Sequence, residues 1–189
     1  MKYAIAKKVI QNGDVLLFGG KAVYSHIIKW WTKSDYSHAA MAVWVDLPTV
    51  GRTLCVIEAH VFKGVRLIPL DTAIKVDYWD YGGTAHWLPL KGTSNRCRAN
   101  LVNFCLDQWG NGYASPYQFM LIGSHVGRWI RAKRGESFDT DIKKTHCSEL
   151  VSRAFCNDGY DCPKEPALIY PNDLIQFPDL SPPVLLEQS

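Results

Sequence analysis

Three apolar runs follow one another between residues 38 and 70, and they constrain the fold more than any other feature of the chain. The first is His38-Ala39-Ala40-Met41-Ala42-Val43-Trp44-Val45; the second covers residues 53–60; the third covers 61–70 and is broken at Lys63-Gly64. Residues 46–52 contain Pro48 and Gly51 and read as a turn. Apolar runs of this length between turn signals read as strands, and links this short join antiparallel neighbours. An antiparallel meander is therefore expected. Residues 14–18, between Asn12-Gly13 and Gly19-Gly20, read as a further strand, and 84–90 as another.

Elsewhere the periodicity is helical. Val23, Ile27, Trp30 and Trp31 recur at helical spacing within 22–33, until Ser34-Asp35 breaks the pattern. Residues 95–109 place Cys97, Leu101, Val102, Cys105 and Leu106 on one face. Residues 116–130 begin with proline, which the first turn of a helix accepts. A polar loop is expected over 135–144, then a short helix over 147–156 with Leu150, Val151, Ala154 and Phe155 inward. The expected class is α+β, with one antiparallel sheet packed against helices. One domain is expected over 1–180, with a loose tail at 181–189.

With 189 residues, 47% of them hydrophobic and 21% charged, a core can form without disulfide or metal staples. The formal net charge of +3 and the lack of a broad basic face argue against a nucleic-acid partner. The densest cationic stretch is Arg128, Arg131, Lys133 and Arg134. It suits a solvated helix end, with a patch for anionic lipid or polymer as the sharper reading. No apolar run has the length of a membrane span. Residues 1–10 lack a signal-peptide pattern, so synthesis in the cytoplasm without a leader is expected. Several of the six cysteines lie in apolar segments (Cys55 and Cys105 among them), so reduced thiols are expected. No CxxC pair occurs, and no metal or other cofactor is expected.

The chemistry concentrates in Thr145-His146-Cys147-Ser148-Glu149-Leu150-Val151. Thr145 reads as the N-cap, which puts Cys147 in the first helical turn. There the helix dipole and free N–H groups favour a thiolate, the attacking form of cysteine. A nucleophilic thiol needs a base, and His38 opens the first of the three strands. Pairing 38–45 with 53–60 about the turn sets His38 opposite Glu58 or His60, both on its own face. An acid beside an imidazole orients it and supports its charged form. His146 is the weaker base, since adjacent residues on a helix point in different directions. His26, His86 and His125 sit in apolar contexts and read as structural.

These residues resemble a known family. Gly13-Asp14-Val15-Leu16-Leu17, Tyr36-Ser37-His38-Ala39-Ala40-Met41, Val56-Ile57-Glu58-Ala59, Cys147-Ser148-Glu149-Leu150-Val151 and Pro171-Asn172-Asp173-Leu174 occur in that order. The set is similar to the circularly permuted NlpC-type papain-like superfamily, in its YiiX-like branch, with lecithin:retinol acyltransferase-like proteins as distant relatives. The likeness spans roughly residues 12–175. It implies a permuted papain-like fold, a small sheet or half-barrel with the cysteine helix packed on it. It also implies Cys147 as nucleophile, His38 as base and Glu58 as orienting residue, with His60 kept in play by the acyltransferase relatives. The implied activity is that of a cysteine peptidase or amidase acting on peptidoglycan peptides. Such an enzyme without a leader would need delivery to the envelope by a phage particle or a secretion system. A lipid acyl hydrolase or acyltransferase is the alternative, for which Trp30, Trp31, Trp79, Trp87 and Trp129 would suit a membrane surface. A binding module without catalysis is the third reading.

Overall fold

The computed structural model describes residues 1–21, 23–61, 63–75, 83–92, 95–113 and 144–187. Its strands are β1 (Val15–Gly19), β2 (His38–Leu47), β3 (Gly51–His60), β4 (Gly64–Pro69), β5 (Thr84–Leu88), β6 (Gly112–Tyr113), β7 (Lys144–Thr145) and β8 (Val184–Leu185). Its helices are α1 (Tyr3–Ala6), α2 (Val23–Thr32), α3 (Leu70–Ala73), α4 (Asn95–Asp107) and α5 (Cys147–Asn157), with 3₁₀ turns at Pro166–Leu168 and Pro171–Gln176. The fold is α+β. The helix expected over 116–130, nearly all of the loop expected over 135–144, the basic stretch at 128–134 and His125 lie outside the described residues.

Six strands make one sheet in the order β4-β3-β2-β1-β5-β8, every adjacent pair antiparallel. The expected meander is its β2-β3-β4 half. β2 and β3 pair about the expected turn, with Met41 opposite Ile57 and Leu47 opposite Gly51. β3 then pairs with β4, with His60 opposite Gly64 and Glu58 opposite Arg66. Gly64 makes that second turn at φ 67, and a Cβ there would run into the Asn111 carbonyl oxygen. Only glycine fits both demands.

Alternation along the strands feeds two cores. Leu17, Ala39, Met41, Val43 and Ile57 meet Leu101 and Cys105 of α4 and Leu150, Val151 and Phe155 of α5. Leu16, Phe18, Ala40, Ala42 and Val56 meet Ala6 of α1 and Leu70 and Ala73 of α3. Burial on both faces is why β2 begins with six consecutive buried residues instead of alternating with polar ones. Each fully buried Leu, Ile or Phe contributes about 1.5–3 kcal/mol over its exposed state.

A buried carboxylate joins β1, β5 and α4. Asp14 is 1% exposed and takes four hydrogen bonds. The donors are the Gln11 N–H (2.9 Å), Trp87 Nε1 (2.8 Å), the Leu90 N–H (3.0 Å) and Arg98 Nη1 (2.8 Å). Arg98 also donates to the carbonyls of Asn12 and Leu90.

Two expectations are corrected here. The segment 181–189 is not a loose tail over its described part. Val184–Leu185 pairs with β5, the Leu186 N–H bonds to Ala85, and Leu186 is 5% exposed within the second core. The open edge of β5 supplies the hydrogen bonds and the apolar face that hold it. Nor are all six cysteines reduced. Cys156 and Cys162 form a disulfide, their Cα atoms 5.9 Å apart across the turn that ends α5. Cys55, Cys97, Cys105 and Cys147 are not in disulfides.

Candidate active site

The site lies where the start of β2 meets the start of α5. His38 is the first residue of β2, pairs with Phe18 of β1, and is 8% exposed. Its ring stands 5.9 Å from that of Phe18. Cys147 is the first residue of α5 and is 3% exposed. α5 is positioned by its apolar face against β2 and β3, which carries its N-terminus to the sheet end that holds His38.

The cap of α5 differs from the one expected. Thr145 is the last residue of β7, and the N-cap is His146. The His146 ring accepts from the Glu149 N–H through Nδ1 (3.3 Å), and Glu149 Oε2 accepts from the His146 N–H (3.3 Å), a reciprocal capping box. His146 Nε2 reaches the Ala167 carbonyl (3.3 Å). Cys147 thereby stays in the first turn, as expected, held by a different residue. Burial pulls the His146 pKa down, while Cys147, Glu149 and the Ala167 carbonyl raise it, with a net rise.

The structure brings Cys147, His38 and Glu58 together. His38 Nε2–H donates to Glu58 Oε2 at 2.9 Å. That leaves Nδ1 as the nitrogen for Cys147, and each of the two groups favours the charged form of the other. The β2–β3 register, continued to the strand end, sets His60 across from His38, and Glu58 reaches the ring on the diagonal. His60 is buried beside them at 2% exposure.

Sequence reasoning missed Arg66. Glu58 is 0% exposed, and its Oε1 accepts from Arg66 Nε (2.8 Å), with Arg66 Nη2 2.7 Å from the same oxygen. One carboxylate oxygen thus holds a permanent cation and the other a titratable ring. Carrying the pairing across the Lys63-Gly64 turn would have found it, since Glu58 faces Arg66 directly.

The two reactive groups shift each other. Burial alone would raise the Cys147 pKa, but His38 and then His146 overcome it and lower the pKa to about 5. Burial alone would lower the His38 pKa, but Cys147 and then Glu58 raise it to about 10. Both shifts favour a thiolate–imidazolium pair at neutral pH. Cys105, buried without such a partner, is pushed up instead. In the first turn of α5 the Glu149 and Leu150 N–H groups go to His146. The N–H groups of Cys147 and Ser148 remain as donors beside the sulfur.

No protein-family model matches the chain, and no curated protein matches it. Among solved structures it is similar to YiiX from Escherichia coli O157:H7, described as a metalloprotein of DUF1105. The TM-score is 0.64 at 18% identity, over 95% of this chain and 98% of that one. Among the described residues here, no group of three or more His, Cys, Asp and Glu side chains is placed to hold a metal ion. Glu58, the carboxylate at the site, is already committed to Arg66 and His38. The described residues therefore do not fit a metal centre, and what the two chains share is a fold that extends over nearly all of both.

Proposed function

We propose that the protein is a thiol hydrolase of the permuted papain-like type, with Cys147 as nucleophile, His38 as base and acid, and Glu58 orienting His38. One observation carries this reading: a buried thiol in the first turn of a helix faces an imidazole whose other nitrogen is held by a carboxylate.

The Cys147 thiolate adds to a carbonyl carbon, forming an S–C bond as the carbonyl π electrons move to oxygen. The N–H groups of Cys147 and Ser148 stabilise that oxyanion. The His38 imidazolium gives its Nδ1 proton to the leaving nitrogen, the C–N bond breaks, and a thioester remains on Cys147. Neutral His38 then takes a proton from water, hydroxide adds to the thioester carbon, and S–C cleavage restores the thiolate and releases the acid. Glu58 keeps the ring aligned through both proton transfers.

The resemblance to NlpC-type enzymes makes a peptidoglycan peptide amide the favoured substrate, reached at the cell envelope. Purified protein is incubated separately with cell-wall fragments and with phospholipid vesicles, and the mass of the Cys147 peptide is followed. A peptide acyl adduct from the first supports the amidase; a fatty acyl adduct from the second moves the assignment to lipids. Iodoacetamide tests the thiol itself. Cys147 is expected to be the fastest modified of the free cysteines at pH 7, with its rate falling tenfold per unit once the pH drops below about 5. Cys147→Ala is expected to lower turnover by at least about 10³-fold. Faster labelling of another thiol, with turnover surviving Cys147→Ala, would sink the mechanism.

A further inference from the structure

A second polar site lies at the other end of the sheet. Trp44 is six residues along β2 from His38, about 20 Å at strand rise. Beside it opens a trough of about 990 Å³ bordered by Lys8, Gln11, Asn12, Trp44, Arg52 and Arg98. Among the described residues, no aspartate or glutamate lines it.

Its walls are tied together by hydrogen bonds and a stacked guanidinium. The Trp44 indole N–H donates to the Ile10 carbonyl (2.9 Å), and the Trp44 backbone N–H donates to Asn12 Oδ1 (2.7 Å). The Arg52 guanidinium lies over the Trp44 ring, 5.4 Å from its centroid. Stacking occupies the face of a guanidinium and leaves its N–H edges, the donors that grip oxyanions in pairs. Arg98 adds little net charge, because Asp14 neutralises it from behind. Lys8 and Arg52 are different: both are exposed, and neither makes an ion pair among the described residues, although Asp46 stands across from Arg52 in the β2–β3 pairing.

We infer that this trough binds a phosphate-type oxyanion, held by Arg52 and Lys8 with the side-chain amides of Gln11 and Asn12 as further donors. Two unpaired cations and two amides around one opening match a doubly charged, four-oxygen group better than a single carboxylate, which one guanidinium would satisfy. The phosphate could belong to a lipid headgroup or to a soluble phosphoester, and the chemistry at the trough is the same. Anchoring through this end would leave the Cys147 end free.

The test titrates isotopically labelled protein with sodium phosphate, and with sodium chloride at matched ionic strength. The signals followed are the Trp44 indole N–H and the Arg52 Nε–H. Saturable shifts with phosphate alone are expected, with affinity weakened at least tenfold in the double variant Lys8→Glu, Arg52→Glu. Both side chains are exposed and distant from Cys147, so the iodoacetamide rate should stay unchanged in that variant. Sedimentation with phosphatidylglycerol and with phosphatidylcholine vesicles distinguishes the sources. Pelleting with the anionic vesicles only, lost in the double variant, assigns a lipid headgroup; phosphate shifts without pelleting assign a soluble ligand. The site is overturned if phosphate gives no saturable shift, if chloride shifts the same signals equally, or if the double variant binds as tightly as the parent.

Discussion

The sheet buries two carboxylates against arginine, and the two are used differently. Asp14 is surrounded by donors that do not titrate near neutral pH: two backbone N–H groups, an indole and Arg98. Glu58 gives one oxygen to Arg66 and the other to His38, whose far nitrogen serves Cys147. A buried carboxylate with only permanent donors locks elements together. The same group with one titratable partner can steady a ring that gains and loses a proton. The difference between structure and chemistry here lies in the partner, not in the burial.

The largest expected effect breaks the first network. Asp14→Ala leaves Arg98 charged and unpaired in the interior, which costs about 3–5 kcal/mol. Urea unfolding should show the midpoint falling by that amount of stability. The iodoacetamide rate at Cys147, measured on the folded protein, should hold. A loss below about 1 kcal/mol, or a collapse of thiol reactivity with the fold intact, would remove the contrast between the two carboxylates.

Glu58→Gln comes next and should act on turnover as well as on stability. The side chain keeps its shape and loses its charge, so turnover is expected to fall on the order of 10²-fold (about 2.7 kcal/mol in barrier), while the urea midpoint also falls because Arg66 and His38 lose their buried counter-charge. The pH profile carries the sign. In the parent, the thiolate–imidazolium pair exists between about 5, where Cys147 gains a proton, and about 10, where His38 loses one. Glu58 raises the His38 pKa, so removing its charge lowers it, and the alkaline limb of turnover moves down. Iodoacetamide labelling should keep its alkaline plateau, because a thiolate still attacks after His38 is neutral. An unmoved alkaline limb in this variant would show that Glu58 does not act through His38.

The parts of this site that the sequence revealed share a physical origin. The β2 and β3 runs were readable because both faces of the sheet are buried, which makes the strands continuously apolar. A polar residue inside such a run, such as Glu58, stands out. Arg66 did not, because its meaning depends on a second turn, and Gly64 reads locally as an interruption rather than as a register-setting residue. His146 was passed over as a cap because serine, threonine, aspartate and asparagine are the usual ones, so Thr145 drew the assignment. β8 was invisible for another reason. Two residues of strand carry no periodicity, and their partner in β5 lies about a hundred residues earlier in the chain.

The smallest expected effect sharpens the comparison within the second network. Arg66→Met keeps an unbranched apolar stem and removes the guanidinium with its charge. The guanidinium beside Glu58 is then gone, so the carboxylate's attraction for the imidazolium is no longer offset by that cation. The His38 pKa should rise, and the alkaline limb of turnover should move up from about 10, opposite to its movement in Glu58→Gln. The rate on the plateau should fall about tenfold, because Glu58 loses the guanidinium that holds its Oε1 and aligns the ring less well. A purely structural Arg66 would lower the urea midpoint and leave the limb where it stands. Arg66→Lys tests the geometry separately: the charge returns without the planar fork, so the limb should return toward the parent position while the plateau recovers only in part. If both variants lower the urea midpoint and leave the limb where it stands, Arg66 supports the fold of β4 and not the poise of His38, and the reactive network ends at Glu58.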